Sequence, residues 1–378
     1  MGIILFILIF CVVVVAHEFG HFIIAKVNGI HVVEFAVGMG PTLLGFEKNG
    51  TKYSLKLLPI GGACMFEGED GREEATDGQN QDDPSSDKSD HITEKGKYGR
   101  SFPEAPLFAR IATVVAGPIF NFILAFFLSL FIVGSIGTDL PVVGDVTEGG
   151  GAEAAGLMSG DVITKINHHK IHLFREISLE AMLADGSSMN VTYERNGKEY
   201  RTVLTPVYSQ DAGRYYLGIT MTGGYTRLSP PKVIIYSGYE VKYWIDTTIK
   251  SLGMLLSGKA GVKDLSGPVG MADAVGDIYT ESKSDGAFYV WLNMLNFAIL
   301  LSANLGVLNL IPFPALDGGR LFIYLIELVR RKPLPAEKEG IINFVGFALL
   351  MLLMVVVLYN DIFFLSSLIT PLFRLKHI

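Results

Sequence analysis

Residues 17 to 21 read His17-Glu18-Phe19-Gly20-His21, two histidines four positions apart with a glutamate directly after the first. On a helix, positions i and i+4 share a face, so the two imidazoles converge on one point and Glu18 sits beside it. Two neutral imidazoles suit Zn²⁺, and the adjacent carboxylate is placed to deprotonate a water molecule. The chemistry this offers is hydrolysis of a peptide bond. The motif ends an almost uninterrupted apolar run from Ile3 to Ala16. Ionisable side chains are costly in an apolar span and mark functional positions there.

A catalytic zinc takes three protein ligands and leaves its fourth position to water, so a distant residue must return to the histidines. Asp317 is the best candidate, in Asn309-Leu310-Ile311-Pro312-Phe313-Pro314-Ala315-Leu316-Asp317-Gly318-Gly319. The two prolines interrupt an apolar helix and free backbone groups that must line protein or a cavity. Gly318 and Gly319 permit close approach of the chain. His31, His91, His168, His169, His172 and His377 show no ligand spacing and read as surface residues. Cys11 and Cys64 are the only cysteines, which excludes a disulfide framework and a cysteine-ligated zinc.

The elements that must position these groups are membrane-length. The chain has 378 residues, 49% of them hydrophobic and 18% charged. Ile3–Ile24, Leu107–Ile136 and Ile341–Ile369 can each span a bilayer, and Phe288–Val329 gives a fourth span with a continuation kinked at Pro312 and Pro314. The first span lacks a basic leader and a small-residue cleavage site, so it reads as a retained helix. Lys95, Lys97, Arg100 and Arg110 precede the second span, and Arg330, Arg331 and Lys332 follow the third. Positive-inside bias puts these loops in the cytoplasm, and both termini and residues 137–287 outside. HExxH then lies in the cytoplasmic half of the membrane.

Between the spans, Val32–Pro41 and Tyr53–Gly62 alternate apolar and polar residues, and Asn49-Gly50 signals a turn between them. Such a hairpin either is structural or offers an edge to an extended peptide, held through its backbone by strand addition. Gly38, Gly40, Gly61 and Gly62 fall at its strand ends, as candidate substrate contacts. Glu67 to Glu94 holds eleven acidic residues against Arg72 and Lys88 and reads as a solvated loop, or as a lid. Residues 137–224 read as an α+β domain. Its Ala154-Ala155-Gly156-Leu157 and Gly160-Asp161-Val162-Ile163 resemble the PDZ domains of bacterial proteases. Tyr216-Leu217-Gly218-Ile219 then matches the loop that captures peptide carboxylates, supplied late by a permuted strand order. A purely structural β-domain is the alternative. Residues 230–257 read as an amphipathic helix on the membrane surface, with too many charges to cross it. With a net charge of −7 and no basic patch, nucleic acid is excluded as a partner.

His17–His21, Asn309–Gly318, Leu265-Ser266-Gly267-Pro268-Val269-Gly270 and the single PDZ-like insert together resemble the site-two protease family of intramembrane metalloproteases, of the bacterial regulator-of-sigma-E protease type. The likeness runs through essentially the whole chain. It implies a polytopic α-helical protein of the bacterial inner membrane with about four transmembrane helices, a membrane-associated β-hairpin and one PDZ-like domain. The expected segments are 1–136, 137–224, 225–287 and 288–378. It also implies one Zn²⁺ per chain on His17, His21 and Asp317, with Glu18 catalytic. Single-pass membrane proteins, shortened outside by another protease, are the implied substrates. Asn304 and Asn309 are implied to line the cleft; on their own they fit interhelical hydrogen bonding equally well. A membrane scaffold with a vestigial metal site and a metal transporter are the rival readings. An intact Glu18 argues against the first, and the lack of internal repeats argues against the second.

Overall fold

The computed structural model describes residues 1–68, 98–209, 214–261, 265–332 and 334–374. The acidic stretch after Gly68, His91 and His377 lie outside them. The chain opens with α1 (Gly2–Val27), β1 (Val32–Lys48), β2 (Thr51–Phe66) and α2 (Leu107–Ile136). There follow β3 (Val143–Val146), α3 (Gly151–Ala154), β4 (Val162–Ile166), β5 (His169–Lys170), α4 (Phe174–Ala184), β6 (Met189–Arg195), β7 (Lys198–Leu204), β8 (Val207–Ser209), β9 (Arg214–Tyr216) and β10 (Ile219–Met221). It closes with α5 (Pro230–Leu256), α6 (Pro268–Ser282), α7 (Ala287–Asn309), α8 (Asp317–Arg330) and α9 (Ala336–Arg374). Met1–Ala125 with Ser251–Ile378 form one compact unit and Phe126–Lys250 a second.

Among the described residues, α1, α2, α7 and Glu337–Asp361 of α9 are long and apolar enough to cross a membrane. The protein is a polytopic helical membrane protein. The expected third span divides at its prolines: α7 stops at Asn309 and α8 starts at Asp317. In the first unit α6 packs on α1 and α7 through Ala272, Val275, Phe6, Met294 and Phe297. The buried carboxylate of Asp361, on α9, accepts the backbone N–H groups of Gly267 and Gly270 at 3.0 Å each. That fixes the start of α6, where the helix dipole favours negative charge.

The hairpin is more folded than its sequence suggests. Residues 42–48 pair with 51–56 across the Asn49-Gly50 turn, as expected. But Glu34–Val37 pair twice: with Lys52–Leu55, running the same way, and with Gly62–Met65, running the opposite way. Both long strands bend back, β1 near Gly38 and Gly40 and β2 near Gly61, and all three glycines have positive φ, where a side chain would be strained. The result is a sheet of four segments. Its outer members are 42–48 and 62–66, so Val32–Val37 is an interior strand and not an edge.

In the second unit, β5-β4-β6-β7 form one sheet, and the late strand β10 pairs with the early strand β3. Ile163, Ile166, Ile177, Met189, Val191, Leu204 and Leu217 fill the core beneath α4. α5 belongs to this unit as far as Lys250 and meets α4 through charge. Arg175 donates to Asp139 and, at 3.0 Å, to Glu240 of α5, and Lys250 pairs with Glu180. Ile234, Ile235 and Ile249 of α5 stay exposed.

A candidate metal centre

α1 stays helical through the HExxH motif, and its small residues let α2 close in. A side chain on Gly20 would lie 2.5 Å from the carbonyl of Ala116. His17 and His21 are 6% and 8% exposed, and their rings meet edge to face with centroids 4.7 Å apart. Asp317 arrives at the first turn of α8. Gly318 and Gly319 bring it there, because a Cβ on either would fall within 2.3 Å of the carbonyls of Ile311 or Phe313. Asp317 Oδ2 then lies 3.0 Å from His17 Nε2 and 3.3 Å from His21 Nε2, and the two Nε2 atoms are 3.2 Å apart.

Those separations test whether a metal fits. Tetrahedral zinc with bonds of about 2.0–2.1 Å sets its ligand atoms roughly 3.3–3.4 Å apart. Hydrogen bonding agrees. His21 donates from Nδ1 to the Thr113 carbonyl at 2.8 Å, which leaves the Nε2 lone pair facing Asp317. Asp317 Oδ2 is buried beside both rings yet makes no hydrogen bond of regular geometry. Three ligand atoms converging at these spacings fit a bound cation.

Two residues at this site lie outside the HExxH and Asp317 motifs. A Cβ on Gly117 would stand 2.3 Å from His21 Nε2 and 2.8 Å from His17 Cε1, so α2 must carry glycine there for both rings to fit. One turn later Asn121, fully buried, sets its amide 3.2 Å from His17 Nδ1. As placed, Oδ1 of that amide has no partner. Turned over, it accepts the Nδ1 proton and leaves Nε2 free for metal. A lone asparagine in an apolar span was the available signal.

The centre opens into a cavity of about 310 Å³ whose walls include Glu18, Cys64, Leu305, Asn309 and Arg320. Glu18 accepts a backbone hydrogen bond from Cys64, and Gly62 lies against its side chain, a Cβ there falling 3.1 Å from Glu18 Cγ. The outer sheet segment 62–66 thus runs along the motif. Asn309 Nδ2 reaches to 3.4 Å from His17 Nε2. Asn304 is absent from the cavity wall: five residues earlier on the same helix is about 140° round its axis. Gly38, Gly40 and Gly61 stand at the bends of the sheet. Of the PDZ-like loop, Tyr216 ends β9, Leu217 is buried in the core, and Ile219 begins β10. The carbonyls of Leu217 and Gly218 accept from Ala152 and Thr147 at 2.8 Å. Of the histidines read as surface residues, His168 and His169 are exposed. His172 is half-buried, stacked 3.8 Å from Tyr239, and His31 is buried; apolar neighbours hid both.

A profile of Peptidase family M50 matches residues 5–353. The chain belongs to that family, the site-two proteases. The zinc metalloprotease RasP of Geobacillus kaustophilus is 34% identical over 421 residues, covering 96% of this chain and 97% of that one. The regulator of sigma-W protease RasP of Bacillus subtilis is 31% identical over 420 residues, covering 95% and 98%. This M50 peptidase is therefore a zinc metalloprotease. A PDZ domain from an SdrC-like protein of Listeria monocytogenes matches 22% of the chain and 88% of its own length, at 21% identity and a TM-score of 0.21.

Proposed function

We propose that this protein is an intramembrane zinc endopeptidase that cuts the transmembrane segment of single-pass proteins already shortened outside the cell. The observation that carries the reading is the convergence of His17 and His21, on the membrane-length α1, with Asp317 at the start of α8, beside the outer sheet segment that runs along Glu18. Anti-sigma factors and signal-peptide remnants are the substrate classes that suit it; the Bacillus relative is itself a regulator of sigma-W. The positive loops support a metal centre toward the cytoplasm of a bacterial inner membrane, with the PDZ-like domain and both termini outside.

His17, His21 and Asp317 would hold one zinc ion per chain, with His21 oriented by Thr113 and His17 by Asn121. A zinc ion held there would supply water with its pKa lowered to about 7 and would polarise a carbonyl. Glu18 takes the proton from the attacking water on its carboxylate and passes it to the nitrogen of the leaving amine. Asn309 donates from Nδ2 to the substrate backbone or to the oxygen that gains charge. A helical substrate buries its carbonyls in its own hydrogen bonds and must first be unwound. Segment 62–66, with Gly62 giving it close approach to Glu18, supplies an edge on which the unwound strand pairs. Gly38, Gly40 and Gly61 shape that edge by bending the sheet. The Tyr216–Ile219 loop and its domain would read substrate tails or exclude bulky ectodomains.

The test is Glu18→Gln. Zinc content should stay at the wild-type level, because the ligands are intact. Turnover should fall by about 10²-fold or more, and a trimmed membrane fragment should accumulate in cells. Full turnover in this variant would overturn the reading.

A further inference from the structure

His31 lies outside the chemistry above, yet the sheet is tied together at its ring. The residue is 5% exposed. Its Nδ1 lies 2.6 Å from Glu67 Oε2 and its Nε2 lies 2.8 Å from the Gly50 carbonyl. A carbonyl only accepts, so Nε2 carries a proton. The 2.6 Å contact is a hydrogen bond between Nδ1 and the carboxyl group.

These two bonds join three distant pieces of chain: the start of β1, the turn before β2, and the residue after it. Backbone bonds gather at the same place. His31 N–H donates to Arg100 at 2.9 Å, Glu67 N–H donates to His31 at 3.2 Å, and Arg100 N–H donates to Gly29 at 3.0 Å. The Thr51 hydroxyl donates to the Val32 carbonyl at 2.7 Å. Tyr98 lies over the imidazole with centroids 5.8 Å apart and fills the space beside Gly50. Glu67 and Tyr98 are the titratable side chains facing the ring.

The geometry matters because a straight hairpin cannot produce it. Seventeen residues of extended strand span roughly 55 Å, so His31 and the Gly50 turn would stand at opposite ends. They touch because β1 and β2 fold back. That fold-back makes Glu34–Val37 interior and sets 62–66 at the edge beside Glu18. We propose that His31 is a positioning residue for cleavage: its two ring hydrogen bonds pin the folded-back sheet so that segment 62–66 lies along Glu18 as its outer strand. This rests on the proposed function and deepens it.

The test uses the full chain in detergent or vesicles. Two substrates carry the same single-pass segment, one stably helical and one with a Gly-Pro pair at the cut site. His31→Ala should keep its zinc and lose about tenfold in kcat/KM on the helical substrate, with a smaller loss on the interrupted one. His31→Arg should restore most of the rate, since a guanidinium supplies two donors without titrating. The proposal fails if His31→Ala works within about twofold of wild type on the helical substrate. It fails equally if His31→Ala loses zinc, or if both substrates suffer alike and arginine gives no rescue. Full turnover in Glu18→Gln would instead sink the proposed function, so the two failures are distinct.

Discussion

Gly117 decides more than its size suggests. The imidazoles occupy the volume where its side chain would be, with a Cβ 2.3 Å from a proposed ligand atom. Gly117→Ala should therefore displace His21 or push α2 from α1, lowering zinc occupancy by about tenfold or more while the helices still form. Metal analysis of the purified variant beside wild type reads this directly, and wild-type zinc content would refute it. At this scale the sequence was legible where chemistry and spacing coincide, as at His17, Glu18, His21 and the proline-flanked Asp317. Gly117 was not legible and Asn121 only as a lone amide in an apolar span, because their roles come from packing one helix on another about a hundred residues away. His31 was misread for a related reason. Between Ile30 and Val32 nothing marks its partners, Gly50 and Glu67, which only the folded-back sheet brings to it.

Among the elements, the sheet departs most from its sequence. Alternation and Asn49-Gly50 locate the strands and one turn, but a pattern of period two does not say which stretch pairs on both sides. The positive-φ glycines hold that information, since each permits a bend inside what reads as one strand. Proline at Val37 would break an interior strand and test only folding. Cys64 lies on the outer segment, and its backbone donor points away from the sheet toward Glu18. Cys64→Pro should leave the ladder paired and zinc bound, yet slow cleavage of a stably helical substrate by about tenfold. A substrate already broken at the cut site should recover part of that loss. Equal turnover of both substrates at the wild-type rate would remove strand addition from the mechanism.

For the molecule as a whole, the second unit shows how a domain and a helix are joined by charges in a protein that is otherwise mostly apolar. Asp139 and Glu240 both bond Arg175, and both are buried. Burial pushes the Glu240 carboxyl up to about 7, with Arg175 only partly opposing it. Arg175 itself is held above its ordinary range and stays charged. Its bidentate bond to Asp139 survives when Glu240 takes a proton, so the neutral acid leaves no cation stranded. The sign follows from where the proton is held more tightly. A docked Glu240 keeps its proton to about pH 7, whereas a free one loses it near 4.5. Docking of α5 on α4 is therefore strongest below about pH 4.5 on this account and weakens as pH rises to 7, by on the order of 3 kcal/mol. His172 works the other way, because burial beside Tyr239 lowers its pKa and a proton there opposes docking in acid. Amide exchange along α5 in the intact protein should thus quicken between pH 5.5 and 7.5, after correction for the intrinsic rate. Glu240→Gln should flatten that rise without loosening the helix at pH 5.5, since the amide still accepts from Arg175. A rise that persists unchanged in Glu240→Gln would mean that another group governs how α5 is held.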